Sequence, residues 1–155
     1  MGDRGVGRAR MSEPRELSLE EANALVPALH RLVSRQMIVQ DDIEAKLGEL
    51  HRRTGKLPRE IVPSAGDPDD LRRLKEDVAA LFHELEAGWA AVSALGCVIK
   101  DPRIGLVDFY GRVDGELVFL CWRFGEEAIA HYHGLEEGFS GRKALSAPTR
   151  HRLFN

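Results

Sequence analysis

The chain has 155 residues, of which 43% are hydrophobic and 30% charged, and its formal net charge is -3 at pH 7. These values are typical of a globular domain with its own core, and they argue against a general binder of polyanions, which would be strongly basic. No apolar run approaches the roughly 18 residues of a membrane span. The two cysteines, Cys97 and Cys121, are too few for a disulfide framework and fit a reducing compartment. We expect a cytoplasmic protein that binds neither nucleic acid nor membrane.

Two local signals predict where the first helices begin. Ser18 and Glu21 have capping-box spacing, in which the serine hydroxyl accepts a backbone N–H and the glutamate reaches back. Because proline does not fit inside a helix, we expect a short helix over 19–25 and a new helix with Pro27 in its first turn. The second helix is expected to end at Gly55, a residue type that favours helix termination.

Two long helices are predicted to pack against each other as an antiparallel hairpin. Both carry residues that are apolar, apart from one glutamine and one glycine, at alternating steps of three and four, which is the pattern of a helix with one buried seam. The first seam is Leu29, Leu32, Gln36, Val39, Ile43, Leu47 and Leu50, and the second is Leu71, Leu74, Val78, Leu81, Leu85, Gly88, Val92 and Leu95. Residues 54–68, with their prolines and glycines, form the connection.

The periodicity changes from helical to alternating after Gly96. Asp114 and Gly115 are a typical two-residue hairpin turn, because both turn positions take positive φ angles. The predicted strands are 107–113, 116–123 and 128–133, with 97–100 as a candidate short strand. The sequence therefore predicts an α+β protein: a long antiparallel two-helix hairpin, preceded by a short N-terminal helix, with a small three-stranded antiparallel β-sheet packed at one end.

The same signals predict one domain with unstructured ends. Residues 1–16 are expected to be a disordered N-terminal extension and 146–155 a loose tail. The single α+β domain would then cover 17–145, with the helical hairpin at 19–96 and the β-meander at 97–134.

The turn at Gly125 decides which side chains share a face of the sheet. An odd number of turn residues places the apolar set on one face, namely Val107, Phe109, Val118, Leu120, Trp122, Ala130 and Tyr132. The opposite face then holds Asp108, Tyr110, Arg112, Phe119, Cys121, Arg123, His131 and His133. An even number would move both histidines among the apolar residues. Because burial of one apolar face sets strand register, the odd turn is favoured.

Several motifs of the chain resemble those of a known family. They are LSLEEANALVPAL, GCVIKDPRIGLVDF, LCWRFGEE, HYH and GFSGR, in this order. The chain is similar over Leu17 to Leu145 to the bacterial family catalogued as domain of unknown function 2203. The positions that match the family pattern are Gly105, Asp108, Phe109, Cys121, Trp122, Arg123, Gly125, Glu126, His133, Gly138, Gly141 and Arg142. That family often has tryptophan before the histidine, where Tyr132 stands here. The resemblance implies no established activity.

Two histidines on one strand suggest a metal site. His131 and His133 are two residues apart, so both side chains point to one side of the sheet, with Asp108 or Glu126 as an oxygen donor. Imidazole and carboxylate together suit zinc, iron or nickel, so a divalent metal is a candidate cofactor. The alternative is structural, with His133 donating a hydrogen bond to a carboxylate at the sheet edge.

A thiol site and an anion site are further candidates on the same face. Cys121 beside Asp108 could act as a nucleophile, although a cysteine on a central strand is more often a small buried apolar residue. Arg123 and Arg142 could bind a carboxylate or phosphate, because a guanidinium fork matches either anion. The structural alternative is that these arginines pair with Asp108, Glu126 or Glu136 and tie the C-terminal turn to the sheet.

Two functional hypotheses from different classes follow. The first is a non-enzymatic interaction or scaffold protein that forms a homodimer through its helical hairpin. The second is a metal- or small-anion-binding protein, with a hydrolase as one form of it, whose site lies on the polar face of the sheet. The first requires exposed apolar residues on the hairpin, and the second requires the polar side chains to converge.

Overall fold

The computed structural model describes residues 15–55 and 61–145. The predicted tail at 146–155 lies outside these residues, and so does the predicted extension apart from its last two positions. Those two are attached to the fold: the Arg15 N–H donates to the Gly96 carbonyl, and Glu16 pairs with Tyr110 in a parallel bridge. Among the described residues, no helix is long and apolar enough to cross a membrane.

The N-terminal helices form where the sequence predicts them. Helix α1 spans Leu19–Ala24 and begins with the predicted capping box, in which the Ser18 side chain accepts from the Glu21 N–H. Helix α2 spans Val26–Thr54, with its proline in the first turn, and ends at Gly55 in the left-handed region at φ 72°. Helix α3 spans Asp69–Ser93.

Helices α2 and α3 pack as the predicted hairpin, and they contribute to two separate apolar clusters. The cluster at the far end consists of Leu50, Leu74 and Val78. The larger cluster combines the other end of the hairpin with helix α1 and the sheet. It includes Leu29, Val33, Trp89, Val92, Val107, Phe109, Leu120 and Trp122. The sheet therefore covers only one end of the hairpin, as the sequence predicts.

A polar residue and a glycine face each other in the helix–helix seam. Gln36 is 1% exposed, and its side-chain amide donates to the Leu85 carbonyl at 2.8 Å. A Cβ atom built on Gly88 would lie 1.8 Å from the Gln36 Oε1 atom. Gly88 thus leaves the space that the buried glutamine fills, and the two helices are held in one register.

The sheet has five strands, so the predicted number of three is wrong. They are β1 (Val98–Asp101), β2 (Leu106–Val113), β3 (Glu116–Arg123), β4 (His131–His133) and β5 (Lys143–Ala144), in that spatial order and antiparallel throughout. The candidate strand at 97–100 is present as β1. Strand β5 was missed because two residues are too short to show any alternation.

The strand register confirms the odd turn. Asp108 lies opposite Cys121, and Cys121 lies opposite His131 on its other side. Phe119 lies opposite His133. The apolar face packs on the hairpin, as expected. The centre of the polar face is closed to solvent, however, because Asp108, Cys121 and His133 are all buried, whereas Arg112 and Arg123 of the same face are exposed.

Gly88→Ala is expected to destabilise the protein by up to about 2 kcal/mol. Overpacking against Gln36 costs about 1–3 kcal/mol, and the roughly 1 kcal/mol that alanine adds to a helix relative to glycine offsets part of this cost. In a Gln36→Ala background the same change should be neutral or stabilising, because the space is then free. Urea unfolding of the four proteins measures this coupling. If the effects of the two substitutions on stability were additive, the contact between Gln36 and Gly88 would be contradicted.

Candidate functional site

Three adjacent strands bring together Asp108, Cys121 and His133, here called the triad. Asp108 comes from β2, Cys121 from the neighbouring β3 and His133 from β4. A carboxylate oxygen, the thiol sulfur and a ring nitrogen all lie within 4.8 Å of one another. The side chains of Asp108 and His133 point to the same side and meet above β3, so the shared site predicted for these residues has a geometric basis.

The triad is almost completely buried, so each of its polar atoms that lacks a hydrogen bond reduces the free energy of unfolding. Asp108 and Cys121 are 0% exposed, and His133 is 2% exposed. The Asp108 Oδ1 atom has no hydrogen-bond partner within the part of the chain that the structure describes. A buried polar atom left unpaired costs about 1–3 kcal/mol, and more when the group is charged. Such atoms are uncommon in folded proteins, and His131 Nδ1 and Arg142 Nε are two others among the described residues.

The two ring nitrogens of His133 have different partners. Nδ1 lies 2.8 Å from the Gly134 carbonyl oxygen, and Nε2 lies 2.9 Å from the Asp108 Oδ2 atom. A carbonyl can only accept, so Nδ1 carries a proton and donates it to Gly134. One further proton must lie between Nε2 and Oδ2, either on an imidazolium or on a neutral carboxyl group. The Gly134 carbonyl thereby orients the ring so that Nε2 faces the other two groups.

Burial disfavours the charged forms of both acids in the triad. It raises the pKa of the Asp108 carboxyl above its usual value, although the nearby His133 partly opposes this rise. It also raises the pKa of the Cys121 thiol to about 12, and the negative charge of Asp108 adds to the effect. Without a metal, Cys121 is therefore a neutral thiol at physiological pH. This state argues against an activated cysteine nucleophile, which needs a lowered pKa.

The remaining candidates form a second group around Glu126. The Arg142 Nη2 atom donates to both Glu126 oxygens at 2.7 and 2.8 Å, and the Arg123 backbone N–H donates to Oε1 at 2.6 Å. The His131 Nδ1 atom is 3.7 Å from Oε2. The Phe139 ring stacks near the Arg142 guanidinium, 4.8 Å from its centre. The Arg142 contacts correspond to the structural alternative, because they tie the C-terminal segment to the sheet, whereas Arg123 reaches Glu126 through its backbone N–H and not through its guanidinium.

The structure thus divides the predicted site residues into two neighbouring sets. Asp108, Cys121 and His133 converge, whereas His131 is not among the three side chains whose ligand atoms meet. Sequence reasoning missed the Gly134 carbonyl that orients the His133 ring. A backbone acceptor can be any residue type, so no side-chain pattern could have indicated it.

The comparisons with known proteins identify the family and nothing beyond it. A family model described as an uncharacterized conserved protein (DUF2203) matches residues 15–145. The chain therefore belongs to this family, as its motifs indicate. No curated protein and no solved structure matches the chain.

The raised pKa of Asp108 predicts how Asp108→Asn changes stability with pH in metal-free protein. The folded state retains a proton on Asp108 that the unfolded chain releases near pH 4. The Asp108 carboxyl therefore contributes to the stability of the folded state at acid pH. This contribution is lost as the pH rises through the pKa of the carboxyl in the folded state. Asparagine cannot ionise, and its amide can still donate to the His133 Nε2 atom. The variant should gain stability relative to the parent as pH rises. The urea midpoints of the variant and the parent are measured at several pH values. A difference between the two midpoints that did not change with pH would contradict the prediction.

Proposed function

We propose that this member of the DUF2203 family is a metal-binding protein that holds a divalent transition metal ion on Asp108, Cys121 and His133. The observation that carries the proposal is the approach of three different ligand atoms to within 4.8 Å of one another in the protein interior. Four further features support it, concerning ligand type, charge, ring orientation and the unpaired Asp108 oxygen.

The ligand types favour zinc or a neighbouring transition metal over magnesium or calcium. Thiolate sulfur and imidazole nitrogen suit zinc, iron, cobalt or nickel, whereas the hard alkaline-earth cations prefer sites built only from oxygen atoms. A single carboxylate is compatible with either class. The presence of Cys121 and His133 therefore decides the class of ion.

The charges of the ligands balance those of such an ion. A carboxylate at Asp108 and a thiolate at Cys121 supply two negative charges, and neutral His133 supplies none. A divalent cation would make the site neutral overall, which is the favourable state in a region of low dielectric. If the Asp108 carboxylate bound the ion with both oxygens, its Oδ1 atom would also gain a partner, which the described residues do not supply.

The orientation of His133 matches that of a metal ligand. Histidines that bind metals commonly donate their other ring N–H to a carbonyl or carboxylate, which fixes the tautomer and aims the free nitrogen. Here the Gly134 carbonyl accepts from Nδ1, and Nε2 faces Asp108 and Cys121. The ion would replace the proton between Nε2 and Oδ2 and the proton of the thiol.

Small side-chain movements would bring the three atoms to binding distances. Ligand atoms around tetrahedral zinc are about 3.3–3.8 Å apart, given zinc–ligand bonds of about 2.0–2.3 Å. The Asp108–His133 contact of 2.9 Å must widen by a few tenths of an ångström, and the longest separation in the triad, up to 4.8 Å, must shorten. Changes of this size are within the range of side-chain adjustment.

Hydrolysis and small-anion binding have weaker support. Three protein ligands leave one tetrahedral position open, as in catalytic zinc sites, but the burial of the triad gives a substrate no visible approach. The Arg142 guanidinium is already paired with the Glu126 carboxylate, so a bound anion would have to displace Glu126. The proposed function is therefore metal binding without a chemical step.

Metal binding is tested with a matched pair of cysteine variants. Protein purified without a histidine tag should take up one zinc ion per chain. Cys121→Ser should weaken this binding at least about tenfold, since loss of one ligand removes far more than 1.4 kcal/mol. Cys97→Ser is the control, because Cys97 is equally buried but lies outside the triad. Isothermal titration with zinc, cobalt and magnesium measures the affinities. Failure of all transition metals to bind, or equal binding by both variants, would refute the proposal.

The affinity should depend on pH, because binding releases protons. The Cys121 pKa of about 12 means that its thiol proton must leave at any pH from 6 to 9. The logarithm of the association constant should thus rise by at least about one per pH unit. Titration in buffers of different ionisation enthalpy counts the protons released. A pH-independent affinity would show that Cys121 is not a ligand.

A further inference from the structure

A divalent ion held by the triad has one tetrahedral position left to fill. In structural zinc sites a fourth protein side chain fills that position, whereas catalytic sites leave it to water or substrate. All three members of the triad are buried, so a fourth ligand from the protein suits these closed surroundings better than an exchangeable water. Such a ligand must come from a side chain on the polar face of the sheet close to Cys121.

His131 lies directly beside the triad, at the start of β4. Cys121 pairs with His131 on one side and with Asp108 on the other, so these three residues form one row across the sheet. The Cβ atoms of such facing residues are about 4.5–5.5 Å apart. His131 and His133 are two residues apart on one strand, so both side chains project from the same face. A ring nitrogen of His131 can therefore reach the point where the triad atoms meet.

We propose that His131 is the fourth ligand of this ion, an inference that rests on the proposed metal site. Its ring must turn toward Cys121, because it lies outside the set of ligand atoms within 4.8 Å of one another. The His131 Nδ1 atom is buried and has no hydrogen-bond partner among the described residues, so this turn breaks no bond of that nitrogen. The side chain is also 35% exposed, so neighbouring atoms do not enclose it.

Glu126 is placed to orient His131 as the Gly134 carbonyl orients His133. It lies in the turn that leads into β4, so His131 stands between Glu126 and His133 along the chain. The two nitrogens of an imidazole point in roughly opposite directions, so a ring whose Nδ1 faces Glu126 has its Nε2 on the side of His133. The His131 Nδ1 atom is 3.7 Å from Glu126 Oε2, and a shift of about half an ångström would form a hydrogen bond. Metal-binding histidines commonly donate to a carboxylate in this way.

Two other candidates for the fourth ligand are engaged elsewhere. Both oxygens of Glu126 accept from Arg142, so coordination by this carboxylate would disrupt an ion pair. The Cys97 thiol donates to the Val92 carbonyl at 3.3 Å, and Cys97 belongs to the apolar cluster. With His131 the ion takes two ligands from β4 and one each from β2 and β3. No position is then left for a substrate, and the ion clamps β4 to the rest of the sheet.

The test uses cobalt(II) beside zinc, because the visible absorption of cobalt reports its coordination. The parent should give the intense bands of a tetrahedral ion, and added imidazole should leave them unchanged because no position is open. His131→Ala should weaken zinc binding at least about tenfold. Imidazole should then enter the open position of this variant and change its cobalt spectrum. His83→Ala is the matched control and should behave as the parent does, since His83 is an exposed histidine on α3.

A second variant separates ligation from an effect on folding. His131→Cys supplies a second thiolate, so it should keep the tetrahedral spectrum and strengthen the sulfur-to-cobalt charge-transfer band. Urea unfolding with a chelator present should show each variant folded without metal. Parent-like zinc affinity in His131→Ala, with binding still weakened in Cys121→Ser, would overturn His131 as a ligand and leave the proposed metal site intact. A parent that binds no transition metal would instead overturn both proposals.

Discussion

The contact between Asp108 and His133 is the constraint around which the sheet is organised. It joins β2 to β4 above the strand between them, so it forms only if all three strands have the observed register. A shift of one residue in β4 would send His133 to the opposite face and leave a carboxylate buried alone. Because an unpaired buried charge is strongly destabilising, this pair disfavours other registers as well as linking the strands. The fold and the proposed metal site thus depend on the same interaction.

The rest of the molecule supports this arrangement from two sides. On the apolar face, Phe109, Leu120 and Trp122 pack on the end of the helical hairpin, which anchors the sheet to the two helices. On the polar face, the pairing of Arg142 with Glu126 ties the C-terminal segment to the turn that precedes β4. Each side limits how far β4 can move relative to its neighbours. A site on short strands needs such support, since β4 has only three residues.

The two functional hypotheses place their features in different parts of the fold and do not compete. The triad lies in the sheet, and an apolar groove lined by Ile43, Leu47 and Phe82 lies on the hairpin. Each end of the hairpin has its own apolar cluster, so a change at the groove need not disturb the triad.

The sequence by itself determined the helices, the hairpin turn and the side of the sheet on which each residue lies. These features follow from local rules: the capping box at Ser18, the three-four rhythm of the helices, the Asp114–Gly115 turn and strict alternation along a strand. The motif order was also enough to identify the family. Alternation even placed Asp108 and His133 on one face, because the period of a strand is two and the apolar side must be buried.

Only the tertiary structure decided which of these residues meet and what surrounds them. Alternation assigns a side chain to a face, but burial depends on segments far away in the chain, so the closed environment of the triad was not predictable. The division between the triad and the residues around Glu126 depends on distances of a few ångströms across three strands. The partner of the His133 Nδ1 atom is a backbone carbonyl, which any residue type could provide. Local sequence patterns specify the face to which a side chain points. The distances between side chains and their exposure to solvent are set only when the helices and strands pack together.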